Sequence, residues 1–132
     1  MKYMLDTNVI VMAIRNPKGH ICKKLRKHSG GDLCISAITY GELEYGIQKS
    51  MFPDRNREAR NRMLLGIPIL DFDDDAGEEF GEIIADLEKQ GKRIGDRDML
   101  IAGHARSLGL TLVTNNTKEF SRVKNLKIED WK

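Results

Sequence analysis

Four short stretches of this 132-residue chain place oxygen-bearing side chains where they could do chemistry. In LDTN, Asp6 follows the apolar Tyr3-Met4-Leu5. In GELEYG, Glu42 and Glu44 stand two apart. In IGDRDMLIAGHA, Asp96 and Asp98 precede an apolar run, and in LVTNNTKEF a second apolar run ends in Thr114, Asn115 and Asn116, with Glu119 close behind. Carboxylates that converge on one cleft repel each other and resist ionisation, and a divalent cation relieves that repulsion. Oxygen-only donors suit Mg²⁺, or Mn²⁺ in its place, better than zinc. Such a site can orient and deprotonate a water for in-line attack at phosphorus, so the chemistry implied is phosphodiester hydrolysis. His20, His28 and His104 are not expected to supply a base at a common site, and this mechanism needs none.

Each residue also has a plainer reading. Asp6 fits the N-cap of a following helix, since a carboxylate accepts from the orphan N–H groups there. Glu42 and Glu44 point about 200° apart around a helix of 3.6 residues per turn, so at most one faces a given cleft. Gly46, one turn after Glu42, leaves space on the Glu42 side, and Glu44 is expected to reach solvent. Asp98, Ile101, Ala102 and Ala105 follow the helical 0, 3, 4, 7 spacing, which sets Asp98 at the top of a buried stripe. A buried acid is costly unless something positive meets it. Asp96 is then the expected helix cap. A neutral amide at Asn116 could hold a cation's water and Glu119 could add charge, although Thr117-Lys118-Glu119 also reads as a turn into a short helix. His104 is expected on a flank or at an interface.

The elements that must position these groups alternate. Strands are expected at 3–5, 33–35, 67–70, 111–113 and 126–131, and helices at about 7–14, 18–29, 37–50, 54–65, 74–90 and 97–108. Such alternation implies parallel βαβ units in an α/β fold. Ligands of an open parallel sheet bind beyond the carboxyl ends of its strands, where strand order reverses, and Asp6 follows the first and normally central strand. Pro17 and Pro53 stand where each can open a helix, and Gly109 where one can stop. The run DFDDDAGEEFGE at 71–82 looks conspicuous, but acids in the first turn of a helix are favoured by its dipole.

With 40% hydrophobic residues, the chain can bury the core of one domain, expected to span 1–132. The net charge of +2 is uneven: residues 1–62 carry 12 Lys and Arg against 6 Asp and Glu, and residues 63–132 carry 10 against 14. No apolar run nears the roughly 18 residues that span a bilayer, so a soluble intracellular protein without membrane contact is expected. Cys22 and Cys34 lack the spacing of a zinc site or disulfide framework. A phosphate-accepting receiver module, also α/β and Mg²⁺-binding, would need an acid pair at the first strand and an acceptor Asp ending a central strand. LCISA offers none. A haloacid-type phosphatase would need an acid at position 8, where this chain has Asn8.

LDTN, GELEYG, IGDRDMLIAGHA and LVTNNTKEF, in this order, resemble the PIN-domain ribonucleases, and within them the VapC toxins of bacterial toxin–antitoxin pairs. The resemblance covers Tyr3 to the closing LKIEDW. It implies a three-layer α/β domain with a central parallel sheet of about five strands flanked by helices. It also implies Mg²⁺ or Mn²⁺ dependence, cleavage of RNA with transfer RNA anticodon loops among the targets, a VapB-type antitoxin, a homodimer and a bacterial cytoplasmic location. On these motifs, the family's acids fall on Asp6, Glu42 and Asp98, as metal ligands and catalytic groups, and its fourth catalytic position on Asn116. The family often has Asp at that fourth position, and Glu119 can compensate. Asp96, Glu119 and Thr114 become accessory. Lys92, Arg93 and Arg97, beside the acids, become contacts to RNA phosphates, as could Arg55, Arg57, Arg60 and Arg62, while Lys23, Lys24, Arg26 and Lys27 read as a solubilising surface.

Overall fold

The computed structural model describes residues 1–28 and 30–132. Its elements run β1 (Tyr3–Leu5), α1 (Thr7–Arg15), α2 (His20–Lys27), β2 (Leu33–Ser36), α3 (Ala37–Gln48), α4 (Pro53–Met63), β3 (Ile69–Leu70), α5 (Asp74–Gln90), α6 (Asp96–Ser107), β4 (Thr111–Val113), α7 (Thr117–Phe120) and β5 (Ile128–Glu129). The strands form one sheet in the order β3-β2-β1-β4-β5, every neighbouring pair parallel. Tyr3 lies opposite both Leu33 and Thr111, so β1 is central, as expected of the first strand in such a sheet.

Period-two alternation splits the strand side chains between two helical layers. Tyr3, Leu5, Leu33, Ile35 and Val113 join Val9, Ile10, Ala13, Ile21, Leu25 and Leu43 in one core. Met4, Cys34 and Leu112 join Ile83, Leu87, Met99, Ile101, Ala102, Ala105 and Phe120 in the other. Each buried aliphatic side chain contributes about 1.5–3 kcal/mol relative to exposure, so both layers are held chiefly by these stripes. In the second core, α5 and α6 approach closely at Gly103. A Cβ there would lie 2.8 Å from the Phe80 nitrogen, so any side chain would push the helices apart.

Several local expectations change. Pro17 does not open α2. Gly19 N–H donates to the Asn16 carbonyl at 3.0 Å, closing a turn around Pro17, and the helix starts at His20. The last residue expected in that helix, Ser29, lies outside the described residues. Pro53 does open α4, and Gly109, with φ of 66°, follows the end of α6. The strand expected at 67–70 shortens to Ile69–Leu70, because Ile67 N–H turns back to the Leu64 carbonyl and Pro68 has no N–H to give. Among the described residues, no helix is long and apolar enough to cross a membrane.

Candidate active site

Strand order reverses at β1: its chain connection runs to β2 on one side, while β4 closes the other. Asp6 leaves the carboxyl end of β1 and Thr114 the carboxyl end of β4, so the two meet at the crevice. The N-cap reading of Asp6 holds, and its second oxygen is engaged as well. Its Oδ1 accepts from the Thr7 N–H at 2.8 Å as the N-cap of α1, and its Oδ2 accepts from the Thr114 hydroxyl at 2.8 Å. The Thr114 hydroxyl in turn accepts from the Asn116 N–H at 3.0 Å.

The network continues across the sheet end. The Thr7 hydroxyl donates to Glu42 Oε1 on α3, and Arg97 Nε on α6 meets Glu42 Oε2 at 2.9 Å. Asp98, half-buried in the first turn of α6, stands above the fully buried Ile101, Ala102 and Ala105, as the stripe spacing predicts. Glu42, Gly95, Asp96, Arg97 and Asp98 line an open cleft of about 600 Å³.

The electrostatics identify which charges converge. Asp98 is pushed up to about 6, first by burial and then by the charges of Asp6, Glu42 and Glu119, with Arg97 opposing. A helix N-terminus normally favours a carboxylate. Here burial and three like charges outweigh it. Asp6 is also raised, chiefly by burial and further by Glu42, against the lowering hydrogen bonds from Thr114 and Thr7. Two carboxyls raised in this way beside a third acid, all oxygen donors, fit a hard divalent cation, which would be held by Asp6, Glu42 and Asp98. At the fourth position, the Asn116 amide donates to Glu119 Oε2 at 3.0 Å, so the charge that reaches Asp98 from this corner is that of Glu119.

Other expectations are corrected. Asp96 does not cap α6: the N-cap is Gly95, without a side-chain bond, and the exposed Asp96 pairs with Arg93 at 2.6 Å. Arg93 also meets Glu88 at 2.7 Å, so its charge is already engaged by two carboxylates. Lys92 is exposed. Glu44 does not simply reach solvent but joins α3 to α4 through Arg57 at 2.9 Å and Arg60 at 2.8 Å, and its carboxyl is held down at about 2 first by the Gln48 amide and then by these two arginines. Arg60, buried and set over the Tyr40 ring at 4.6 Å, is a packing residue rather than a phosphate contact. His104 is in the core, not on a flank. Its Nδ1 lies 2.8 Å from the hydroxyl of Ser36, the residue that caps α3, and the ring packs edge-on to Phe72. The residue that sequence reasoning missed is Thr7, which bridges Asp6 and Glu42. Its place inside LDTN was the available signal.

The PIN domain family matches residues 3–126. The chain is 44% identical to the tRNA(fMet)-specific endonuclease VapC of Shigella flexneri, over 99% of this chain and 98% of that protein. It is equally similar, with the same coverage, to the ribonuclease VapC2 of Haemophilus influenzae. Among solved structures, VapBC2 from Rickettsia felis bound to a DNA fragment from their promoter superposes with a TM-score of 0.95 at 38% identity, covering all of both chains. DNA-bound VapBC from Salmonella typhimurium superposes with a TM-score of 0.95 at 41% identity, covering 100% of this chain and 99% of that one.

Proposed function

The chain belongs to the PIN-domain family as a VapC-type endoribonuclease, the toxin of a pair whose antitoxin is of the VapB type, and on that premise we propose how it acts and on what. Its substrate is a transfer RNA, with tRNA(fMet) the first candidate from the Shigella relative and the anticodon loop the region cut. Residues 1–132 act as a single PIN domain in the bacterial cytoplasm, as a homodimer.

The observation that carries the site assignment is that Asp6 ends the central strand at the switch point of the sheet, Glu42 and Asp98 line a cleft, and the charges of Asp6, Glu42 and Glu119 all act on Asp98. Asp6, Glu42 and Asp98 hold a divalent cation, Mg²⁺ or Mn²⁺. When bound, it supplies a water activated for attack at phosphorus and charge stabilisation for the leaving oxygen. The protein's own part is to fix the ligands. Thr114 and the Thr7 N–H hold the two oxygens of Asp6, and the Thr7 hydroxyl holds Glu42, so the carboxylates are oriented before the substrate arrives. Asn116 stations Glu119 at the rim. Lys92 and Arg97 line the approach of the RNA backbone. They position RNA without reading its sequence, because phosphate contacts carry no base information.

The test incubates the antitoxin-free protein with total bacterial RNA, with Mg²⁺ or with chelator, beside Asp98→Asn. Discrete cuts that need the cation and vanish in the variant are expected. Unchanged cutting by Asp98→Asn would sink the site assignment, and cutting that persists in chelator would sink the role of the cation.

A further inference from the structure

Arg97 differs from the other paired arginines near it. Arg57 and Arg60 tie α4 to α3, Arg93 bridges Glu88 and Asp96, and Arg106 binds Glu79 and Glu82. Each of these joins parts of the scaffold. Arg97 instead reaches from the first turn of α6 across the mouth of the cleft, remains 63% exposed, and meets one carboxylate, that of Glu42. With Thr7 on Oε1 and Arg97 on Oε2, both oxygens of Glu42 are engaged. The Arg97 guanidinium carbon also lies 5.9 Å from the centre of the exposed Tyr45 ring, a second place for it to rest once it leaves Glu42.

We propose that Arg97 is a built-in placeholder for the cation: its guanidinium holds Glu42 against the repulsion of the neighbouring acids and must be displaced before a divalent ion can use that carboxylate. This rests on the assignment of Asp6, Glu42 and Asp98 as cation ligands. The physical ground is competition. A guanidinium 2.9 Å from a carboxylate oxygen and a divalent ion on the same carboxylate repel across a few ångströms. Binding of one therefore weakens the other, reciprocally. Arg97 is exposed to water on its side of the pair, which screens the contact, so the arginine delays capture of the ion without preventing it. Its removal should tighten cation binding by about two- to fivefold, the range of exposed ion pairs.

The experiment titrates the full-length, antitoxin-free protein with Mn²⁺ and no RNA, reading free Mn²⁺ by electron paramagnetic resonance. Wild type is compared with Arg97→Gln, Arg93→Gln and Asp98→Asn, with circular dichroism confirming the fold of each. Tighter Mn²⁺ binding in Arg97→Gln, with Arg93→Gln close to wild type, is the expected result. Unchanged or weaker binding in Arg97→Gln overturns the placeholder role. An equal gain in Arg93→Gln also overturns it, by reducing the effect to general loss of positive charge. Asp98→Asn should bind Mn²⁺ poorly. If it binds as wild type does, the ligand assignment fails, whatever Arg97→Gln shows.

Discussion

Two groups of three acids in this molecule have opposite characters. Asp73, Asp74 and Asp75 are consecutive, and their carboxylate oxygens lie within 4.8 Å of one another, yet all three are exposed. Asp73 spends an oxygen on the Ala76 N–H at 3.0 Å as the N-cap of α5, and the other two occupy its first turn. Asp6, Glu42 and Asp98 come from three distant segments: the carboxyl end of β1, the middle of α3 and the first turn of α6. In the second group, Asp6 and Asp98 are raised above the ordinary carboxylate range by burial, and the charge of Glu42 adds to that in both. Density of charge along the chain therefore marks a helix start here, whereas burial at a sheet end marks the proposed site. Water screens the first group, and the protein interior does not screen the second.

The comparison breaks most sharply in RNA cleavage. Asp6→Asn, which keeps an acceptor for the Thr7 N–H, and Asp98→Asn should each lower the cleavage rate by more than about a hundredfold, since even outer partners of metal ligands are worth about 10–100-fold. A triple change of Asp73, Asp74 and Asp75 to Asn should leave the rate at the wild-type level in the same assay. The reverse pattern would exchange the roles of the two groups.

Thermal melts sharpen it next. Excess Mg²⁺ should raise the midpoint at pH 7.5, by about 2.7 kcal/mol of stability at a hundred times its dissociation constant. Asp98→Asn should abolish most of that gain, and the Asp73–Asp75 triple variant should keep it. The sign with pH follows from Asp98. A carboxyl whose folded value is raised to about 6 binds its proton more tightly folded than unfolded. Its contribution thus destabilises the cation-free protein above about pH 6 and is relieved as pH falls towards 4. Wild type should therefore lose more stability than Asp98→Asn between pH 5 and 7 in chelator. Equal pH profiles for the two proteins would remove Asp98 from the repelling cluster.

The smallest effects separate capping from chemistry. Asp73→Ala should cost about 1 kcal/mol of stability in urea melts through the lost cap, with no change in cleavage. Asp96→Ala, removing an exposed partner of Arg93, should retain most activity and shift the melting midpoint very little. Complete loss of activity in Asp96→Ala would move the third ligand from position 98 to position 96.

What the sequence determined is what neighbouring residues decide among themselves. The apolar run of Tyr3-Met4-Leu5, the 3, 4, 7 stripe below Asp98, Pro53 at a helix start and Gly109 after a helix end were all legible, because periodicity and backbone restriction act within a turn or two of chain. The four motifs also pointed to Asp6, Glu42 and Asp98. Only the tertiary structure decided what those side chains touch. Thr7 bridging Asp6 to Glu42, Arg97 on Glu42, Glu44 committed to α4, and His104 buried against Ser36 each join segments far apart in sequence. The expected cap at Asp96 gave way to Gly95 because the helix already starts at Asp96, whose exposed carboxylate pairs with Arg93. Such pairings depend on which helix faces the sheet brings within hydrogen-bonding distance, and on how much water that packing removes. Burial and approach of this kind belong to the assembled fold, so no local stretch of the chain encodes them.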